Sequence, residues 1–309
     1  MKIAIIGAGA MGSLFGAMLS QVSDVYLINH FKAHIQAIRE KGLKIENSDG
    51  SVRTCSVFAA TDPGEVDAEI DLAVIFTKSY STKAAAISAK QLLGEKGLMI
   101  TLQNGLGNPE IIADVVGMER TLAGVTSHGA TLVCPGHIRH AGQGPTYIAG
   151  PSRHADFLKQ IAETFTAGGI KVQVSENIET LIWGKLLVNV GINALAAILR
   201  VPNGVLGKTP SCQKIMDSAV SEAEAVARAL NISLPYSNPS EQVRKVCAGT
   251  AANRASMLQD ILKQSRTEVA FINGAIVKKG NELGIPTPCN AFLCEIMEAL
   301  EATSENRCA

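Results

Sequence analysis

The chain has 309 residues, enough for about two domains with sizeable cores, and its 28 basic and 28 acidic side chains cancel. A neutral chain without a basic stretch gives no support to a nucleic-acid or polyanion partner. Its seven cysteines (Cys55, Cys134, Cys212, Cys247, Cys289, Cys294 and Cys308) are odd in number and lack a C-x-x-C pair. That pattern points to reduced thiols in a cytoplasmic compartment rather than to a disulfide framework.

The chain opens MKIAIIGAGAMGSLFGAML. An isoleucine-rich run leads into G-x-G-x-x-G and then into an apolar, alanine-containing stretch, the order strand, tight turn, helix. Gly7 permits the turn, Gly9 lets the backbone approach a pyrophosphate, and Gly12 allows the helix to pack closely on the strand. The six residues Gly7, Ala8, Gly9, Ala10, Met11 and Gly12 thus form a candidate dinucleotide cradle at the positive end of a helix. The same stretch could pass for a signal peptide, since Lys2 precedes an apolar run. Glycines interrupt that run at dinucleotide-binding spacing, and no cleavage site leads into a polar segment.

Further along, residues 25–28 read as a second strand and 33–42 as a helix stopped by Gly42. Short apolar runs at 71–76 (DLAVIF) and 98–102 (LMITL) read as buried parallel strands. Residues 123–125, 138–140 and 147–149 are further candidate strands, 156–166 a helix and 171–174 a last strand. Beyond this point strand signals fade. Helical periodicity appears at 178–198, 211–230, 240–263, 266–283 and 291–303, punctuated by prolines. The expected fold is an α/β Rossmann-type doubly wound sheet over residues 1–174, followed by an all-helical C-terminal domain over 175–309. The apolar stretch 186–199 reads as too short for a membrane span and is interrupted by Asn189 and Asn193. His137 and His140 form H-x-x-H, but no carboxylate or cysteine is read as completing a metal set with them, so no metal is expected.

Three groups of residues carry candidate chemistry. On ETLIWGKLLVNVGINALAAIL, Lys185, Asn189 and Asn193 fall at i, i+4 and i+8, one polar stripe on a helix otherwise apolar nearly all round. A buried lysine and two buried amides need partners, which favours a functional stripe over a solvated one. In the stretch NRASMLQDILKQSRTEVAFINGAI, Asn253 and Ser256 read as i, i+3 neighbours on one helix. Glu268 lies there among apolar residues, with a surface ion pair to Lys263 or Arg266 as its alternative. Lys78, Asn104 and the run Thr126, Ser127, His128 follow candidate strands, at the carboxyl edge where ligands of such sheets bind.

In these motifs the chain resembles the ketopantoate reductases. The matching pieces are GAGAMG at 7–12, TKSY at 77–80, QNGLGN at 103–108, GVTSHGA at 124–130, WGKLLVNVGINAL at 183–195, PNG at 202–204, NRASMLQD at 253–260 and RTEVAFINGAI at 266–276. The resemblance implies a Rossmann domain followed by a helical domain, and reduction of 2-dehydropantoate to (R)-pantoate with NADP(H), on the route to pantothenate and coenzyme A. It implies Lys185 as general acid toward the 2-keto oxygen, and Glu268 holding Lys185 and the substrate hydroxyl. Asn189, Asn193, Asn253 and Ser256 would grip the substrate, with Asn203 as a helper. Asn104 would place nicotinamide and substrate, and Lys78 would lie by the cofactor. Ketopantoate reductases usually carry an arginine after the second strand for the 2′-phosphate of NADP. Here the segment is VYLINHFK, with His30 at that position and Lys32 nearby. It has no acid of the kind that binds the ribose hydroxyls of NAD, so NADPH is expected, with NAD(H) left open. The expected partner is a small keto acid, with no nucleic acid and no membrane, for a monomer or homodimer. The alternatives are reduction of another 2-keto or 3-keto acid, or a non-catalytic NADP(H) sensor.

Overall fold

A computed structural model describes residues 1–47 and 49–306, so Cys308 lies outside the described residues. The chain divides into two compact units, Met1–Gln103 with Gly107–Ile178, and Asn104–Leu106 with the chain from Glu179 onward.

In the first unit the elements run β1 (Lys2–Ile6), α1 (Ala10–Leu19), β2 (Asp24–Ile28), α2 (Lys32–Lys41), β3 (Leu43–Glu46), β4 (Val52–Cys55), β5 (Phe58–Ala60) and β6 (Ile70–Ile75). They continue with α3 (Thr82–Lys90), β7 (Leu93–Thr101), α4 (Asn108–Val116), β8 (Thr121–Thr126), β9 (Gly129–Cys134), β10 (His137–Gly142), β11 (Thr146–Ala149), α5 (Ala155–Ala167) and β12 (Val172–Val174). The main sheet has the order β12-β11-β8-β7-β6-β1-β2-β5. Every pairing from β5 to β8 is parallel, and β11 turns antiparallel against β8.

Strand alternation explains why these strands read as continuous apolar runs. Ile3, Ile5, Leu72, Val74, Leu98 and Ile100 pack into one cluster with Leu14, Phe15 and Phe165. Ala4, Ile6, Ala73, Ile75 and Met99 pack into another with Ala85, Ala86, Ala89 and Ile112. Both faces of the sheet are covered, so both sets must be apolar. The expected doubly wound sheet is present, and its order reverses between β1 and β6, which opens the crevice where such sheets bind ligands.

A second sheet, β4-β3-β10-β9, was not anticipated as a separate layer. The candidate strand 138–140 belongs to it rather than to the main sheet. Leu43, Ile45 and Ile138 share a cluster with Leu14 and Phe15, so α1 is covered by this small sheet as well as by the large one. Residues 12–19 are buried without a break as a result. An all-round apolar helix is what burial between two layers requires, and it is also what gave the segment its signal-like appearance.

The second unit is helical: α6 (Ile178–Leu199), α7 (Asn203–Lys208), α8 (Pro210–Ala229), α9 (Pro239–Gly249), α10 (Ser256–Leu262), α11 (Asn273–Leu283) and α12 (Pro288–Ala302). Its core is built around α6, whose Leu186, Leu187, Val190 and Ala194 pack with Met216, Val220, Val243 and Met297. A Cβ at Gly191 would stand 2.9 Å from both Val220 and Val243, so α8 and α9 approach α6 where it lacks a side chain. α6 extends the stretch 186–199 to 22 residues, and an 18-residue window of it has a mean hydropathy of 1.7, so the whole helix, unlike the stretch read from the sequence, is long and apolar enough to cross a membrane. That window is instead 67% buried within the protein, and its apolar residues belong to the core of the second unit. The six described cysteines are free thiols.

Candidate active site

In the first unit the glycine turn lies at the carboxyl end of β1, against the end of β6. Gly7 has φ +93°, and a Cβ there would meet the backbone N of Thr77 at 2.5 Å. Only glycine tolerates both the angle and the contact. A Cβ on Gly12 would meet the carbonyl of Gly7 at 2.5 Å, so the third glycine brings α1 down onto the turn. At Gly9 a Cβ would meet nothing within 4 Å. That open side is what a ligand pressed against the backbone would require. The N–H groups of Gly7 and Ala8 are taken by the carbonyl of Ile28, and that of Gly9 by Gly7. Those of Ala10, Met11 and Gly12 belong to the first turn of α1, where an α-helix has no partners of its own for them. The donors, the open side and the helix terminus together fit a dinucleotide pyrophosphate.

His30 and Lys32 are exposed just beyond β2, Lys32 being the first residue of α2. No carboxylate occupies residues 29–32. Lys78 is half-buried after β6.

The loops after β6 and β7 are joined by a side-chain network that sequence reasoning did not assign. Gln103 donates to the carbonyl of Thr77 at 2.7 Å and to the Thr82 hydroxyl at 2.9 Å, and its oxygen accepts from Thr101 at 2.9 Å. Thr82 donates to Asn108 at 2.8 Å, and Asn108 donates to Ser79 at 3.2 Å. Gln103 therefore sets the ends of the two strands that lead to Lys78 and Asn104. The only clue was its place in the motif QNGLGN. The residues after it, Asn104–Leu106, group with the helical unit. Leu106 N–H donates to the carbonyl of Phe271 at 3.0 Å, and Gly105 (φ +85°) lies so close to Phe271 that a Cβ would stand 2.5 Å from that carbonyl.

In the helical unit, Lys185 and Asn189 are half-buried on α6 and Asn193 is buried. Glu268 is 6% exposed, so it does not lie at the surface. It does not lie on the expected helix 266–283. The chain is irregular there, and Glu268 precedes a short 3-10 turn, Val269–Phe271, with α11 starting only at Asn273. Thr267 explains the break: its N–H and hydroxyl both donate to one Glu301 oxygen, at 2.9 and 2.5 Å, which anchors the segment to α12.

Burial pushes the Lys185 ammonium down from the usual lysine value to about 8, against the pull of the Glu268 carboxylate, which raises it. The phenol of Tyr236 donates to the carbonyl of Gly184, the residue before Lys185, and Pro235 packs where a Gly184 side chain would stand.

The other candidates meet in pairs. Asn193 donates to Ser256 at 3.5 Å. Asn253 is not on a helix with Ser256, because the expected helix 240–263 breaks into α9 and α10. Asn253 lies exposed in the break, and Ser256 opens α10. The carbonyl of Asn253 accepts the N–H of Asn203 at 3.0 Å, which joins these two candidates through the backbone. Asn203 donates to Thr250 at 2.9 Å, while its buried side-chain oxygen has no partner. His137 and His140 do not converge: His137 pairs with Glu46 at 3.6 Å, and His140 stacks on His128. No group of three or more His, Cys, Asp or Glu that could hold a metal ion occurs among the described residues.

Known proteins share both units. The sequence model of ketopantoate reductase PanE/ApbA matches residues 3–152, and that of its C-terminal region matches residues 177–301. The 2-dehydropantoate 2-reductase of Halobacterium salinarum is 38% identical over 303 residues, covering 96% of this chain and 98% of that protein. The solved ternary structure of D-mandelate dehydrogenase with NADH and anilino(oxo)acetate is similar with a TM-score of 0.91, at 32% identity, covering 99% of this chain and 100% of that one. A PanE/ApbA family ketopantoate reductase from Ralstonia eutropha JMP134 gives the same TM-score at 33% identity, with the same coverage. With family models matched over both units and near-full-length relatives above 30% identity, this chain belongs to the ketopantoate reductase (PanE/ApbA) family.

Proposed function

We propose that the protein reduces 2-dehydropantoate to (R)-pantoate with NADPH, in the cytoplasm, as a monomer or homodimer with no nucleic-acid or membrane partner. The observation that carries the reading is the half-buried Lys185, held near pH 8 by burial on one side and Glu268 on the other. A general acid works best with a pKa near the operating pH, and this ammonium is charged at neutral pH yet poised to release its proton.

In this reading the first unit is the dinucleotide domain. Ala10, Met11 and Gly12 hold the pyrophosphate, Lys78 lies by the cofactor, and His30 with Lys32 contacts the 2′-phosphate. The bound nicotinamide supplies the hydride. The second unit supplies the remaining chemistry. Lys185 donates a hydrogen bond and then its proton to the 2-keto oxygen, where negative charge develops. Glu268 keeps Lys185 protonated and accepts from the substrate hydroxyl. Asn189, Asn193, Asn253 and Ser256 orient the substrate, Asn203 assists, and Asn104 places substrate and nicotinamide. The test is loss of reduced-nicotinamide absorbance with 2-dehydropantoate, for the wild type and Lys185→Ala. Lys185→Ala should lose orders of magnitude in turnover and retain NADPH affinity. Wild-type turnover in Lys185→Ala would exclude it as the general acid.

A second reading keeps this machinery with another 2-keto acid and NADH. It is favoured by His30 in the place of an arginine and by the similarity to D-mandelate dehydrogenase, solved with NADH and anilino(oxo)acetate. Comparing kcat/KM across a panel of keto acids with each nucleotide separates the two.

A further inference from the structure

His34 is fully buried in the first turn of α2, two residues beyond Lys32, and nothing in the proposed chemistry uses it. Its imidazole is engaged on three sides. Nδ1 accepts the backbone N–H of Gly136 at 2.9 Å, in the turn between β9 and β10. Nε2 lies 3.0 Å from the Ser13 hydroxyl on α1. The ring of Phe31 stacks on its face, with centroids 6.2 Å apart and planes 10° apart. A backbone N–H can only donate, so Nδ1 carries the lone pair and the ring proton sits on Nε2. Nε2–H therefore donates to Ser13, and the Ser13 hydroxyl donates to the carbonyl of Ala8 at 3.2 Å. Burial holds the pKa of the ring below the usual histidine value, which keeps it in this neutral form.

The end of this chain of bonds is informative. The Ala8 carbonyl and the Gly9 N–H belong to one peptide plane. Ser13 holds the carbonyl side, and the Gly7 carbonyl takes the Gly9 N–H at 2.7 Å. Gly9 has no side chain to restrict that plane, so the hydrogen bonds restrict it instead. We propose that His34 is a positioning residue for the dinucleotide: through Ser13 it orients the Ala8–Gly9 peptide of the cradle, and through Phe31 it sets that cradle against His30 and Lys32. The inference rests on the functional reading above.

The test is a double-mutant cycle of Ser13→Ala, His34→Gln and the pair. NADPH dissociation constants are read from nucleotide fluorescence, KM and kcat from steady-state assays, and folding from thermal melts. Each single variant should raise Kd and KM for NADPH roughly tenfold while kcat stays within about twofold, as expected when one partner of a buried hydrogen bond is lost. The double variant should bind no more weakly than the worse single, because both residues act through one chain of bonds. Folded single variants with wild-type Kd, or losses that simply add, would overturn the proposal. If His34→Gln fails to fold, Ser13→Ala decides alone, since it removes one oxygen and leaves the ring packed. A wild type that bound neither NADPH nor NADH would overturn the functional reading together with this inference. A wild type that binds, with variants that bind equally well, overturns the inference only.

Discussion

Glu268, on an irregular segment anchored to α12, acts electrostatically on Lys185 of α6 and raises a pKa that burial would otherwise depress further. Burial wins, and the ammonium ends at about 8 rather than at the usual lysine value. With Lys185 as general acid, kcat/KM for the keto acid should be flat at neutral pH and fall as pH rises through about 8, where the proton is lost. Glu268→Gln removes the influence that raises the pKa, so the falling limb should move to lower pH. A pH–rate profile of both forms checks the sign: a limb that moves up or stays put would separate Glu268 from the titration.

Gly7 and Gly9 should respond differently to the same substitution. Gly7→Ala forces a side chain into φ +93° and to within 2.5 Å of the Thr77 backbone. It should cost about 1–3 kcal/mol from the backbone angle alone, and more from the clash. Gly9→Ala meets no protein atom, so it should leave the melting temperature near wild type while weakening NADPH binding at least roughly tenfold, because the methyl group fills the ligand's side of the turn. Paired thermal melts and NADPH titrations distinguish them.

Gln103 has no assigned contact with a reacting atom, yet its amide joins Thr77, Thr82 and Thr101. Gln103→Leu should cost about 1–3 kcal/mol in urea unfolding, because it strips partners from the buried Thr82 and Thr101 and the half-buried Thr77. It should also raise KM for NADPH through the displaced Lys78 loop. A normal KM at reduced stability would make the network purely structural.

His30→Arg should raise the preference for NADPH over NADH by about tenfold, since a guanidinium matches a phosphate in a bidentate manner and stays charged. Lys32→Ala should lower the same ratio. The ratio of kcat/KM values for the two nucleotides is the measurement. An unchanged ratio in both variants would place 2′-phosphate recognition elsewhere.

Much of the fold was legible because its signals are local. The glycine spacing, the apolar strands 71–76 and 98–102 and the polar stripe of α6 each follow from a short repeat of residue types, and the structure places β6, β7 and α6 over them, with Lys185 and Asn189 half-buried rather than buried. The second sheet was not legible. β3 and β4 are only four residues each, too short for a strong periodic signal, and the layer they form is completed only when β3 pairs with β10, far along the chain. The helices drawn through 240–263 and 266–283 were too long, because periodicity continues across positions where tertiary bonds end the helix. Thr267 is held by Glu301, and Asn253 receives a bond from Asn203, so in both places the backbone follows the partner.

The sequence by itself determined the dinucleotide turn, the order of sheet and helices, and the stripe Lys185, Asn189 and Asn193, since spacing along the chain dictates which residues share a turn or a face. The tertiary structure alone decided that Glu268 is buried within electrostatic reach of Lys185, that Gln103 joins two loops, and that His34 holds the Ala8 carbonyl through Ser13. Each of these joins residues remote in sequence. A buried polar group takes whichever partner the packing brings within hydrogen-bonding distance, and no local pattern records which one that is.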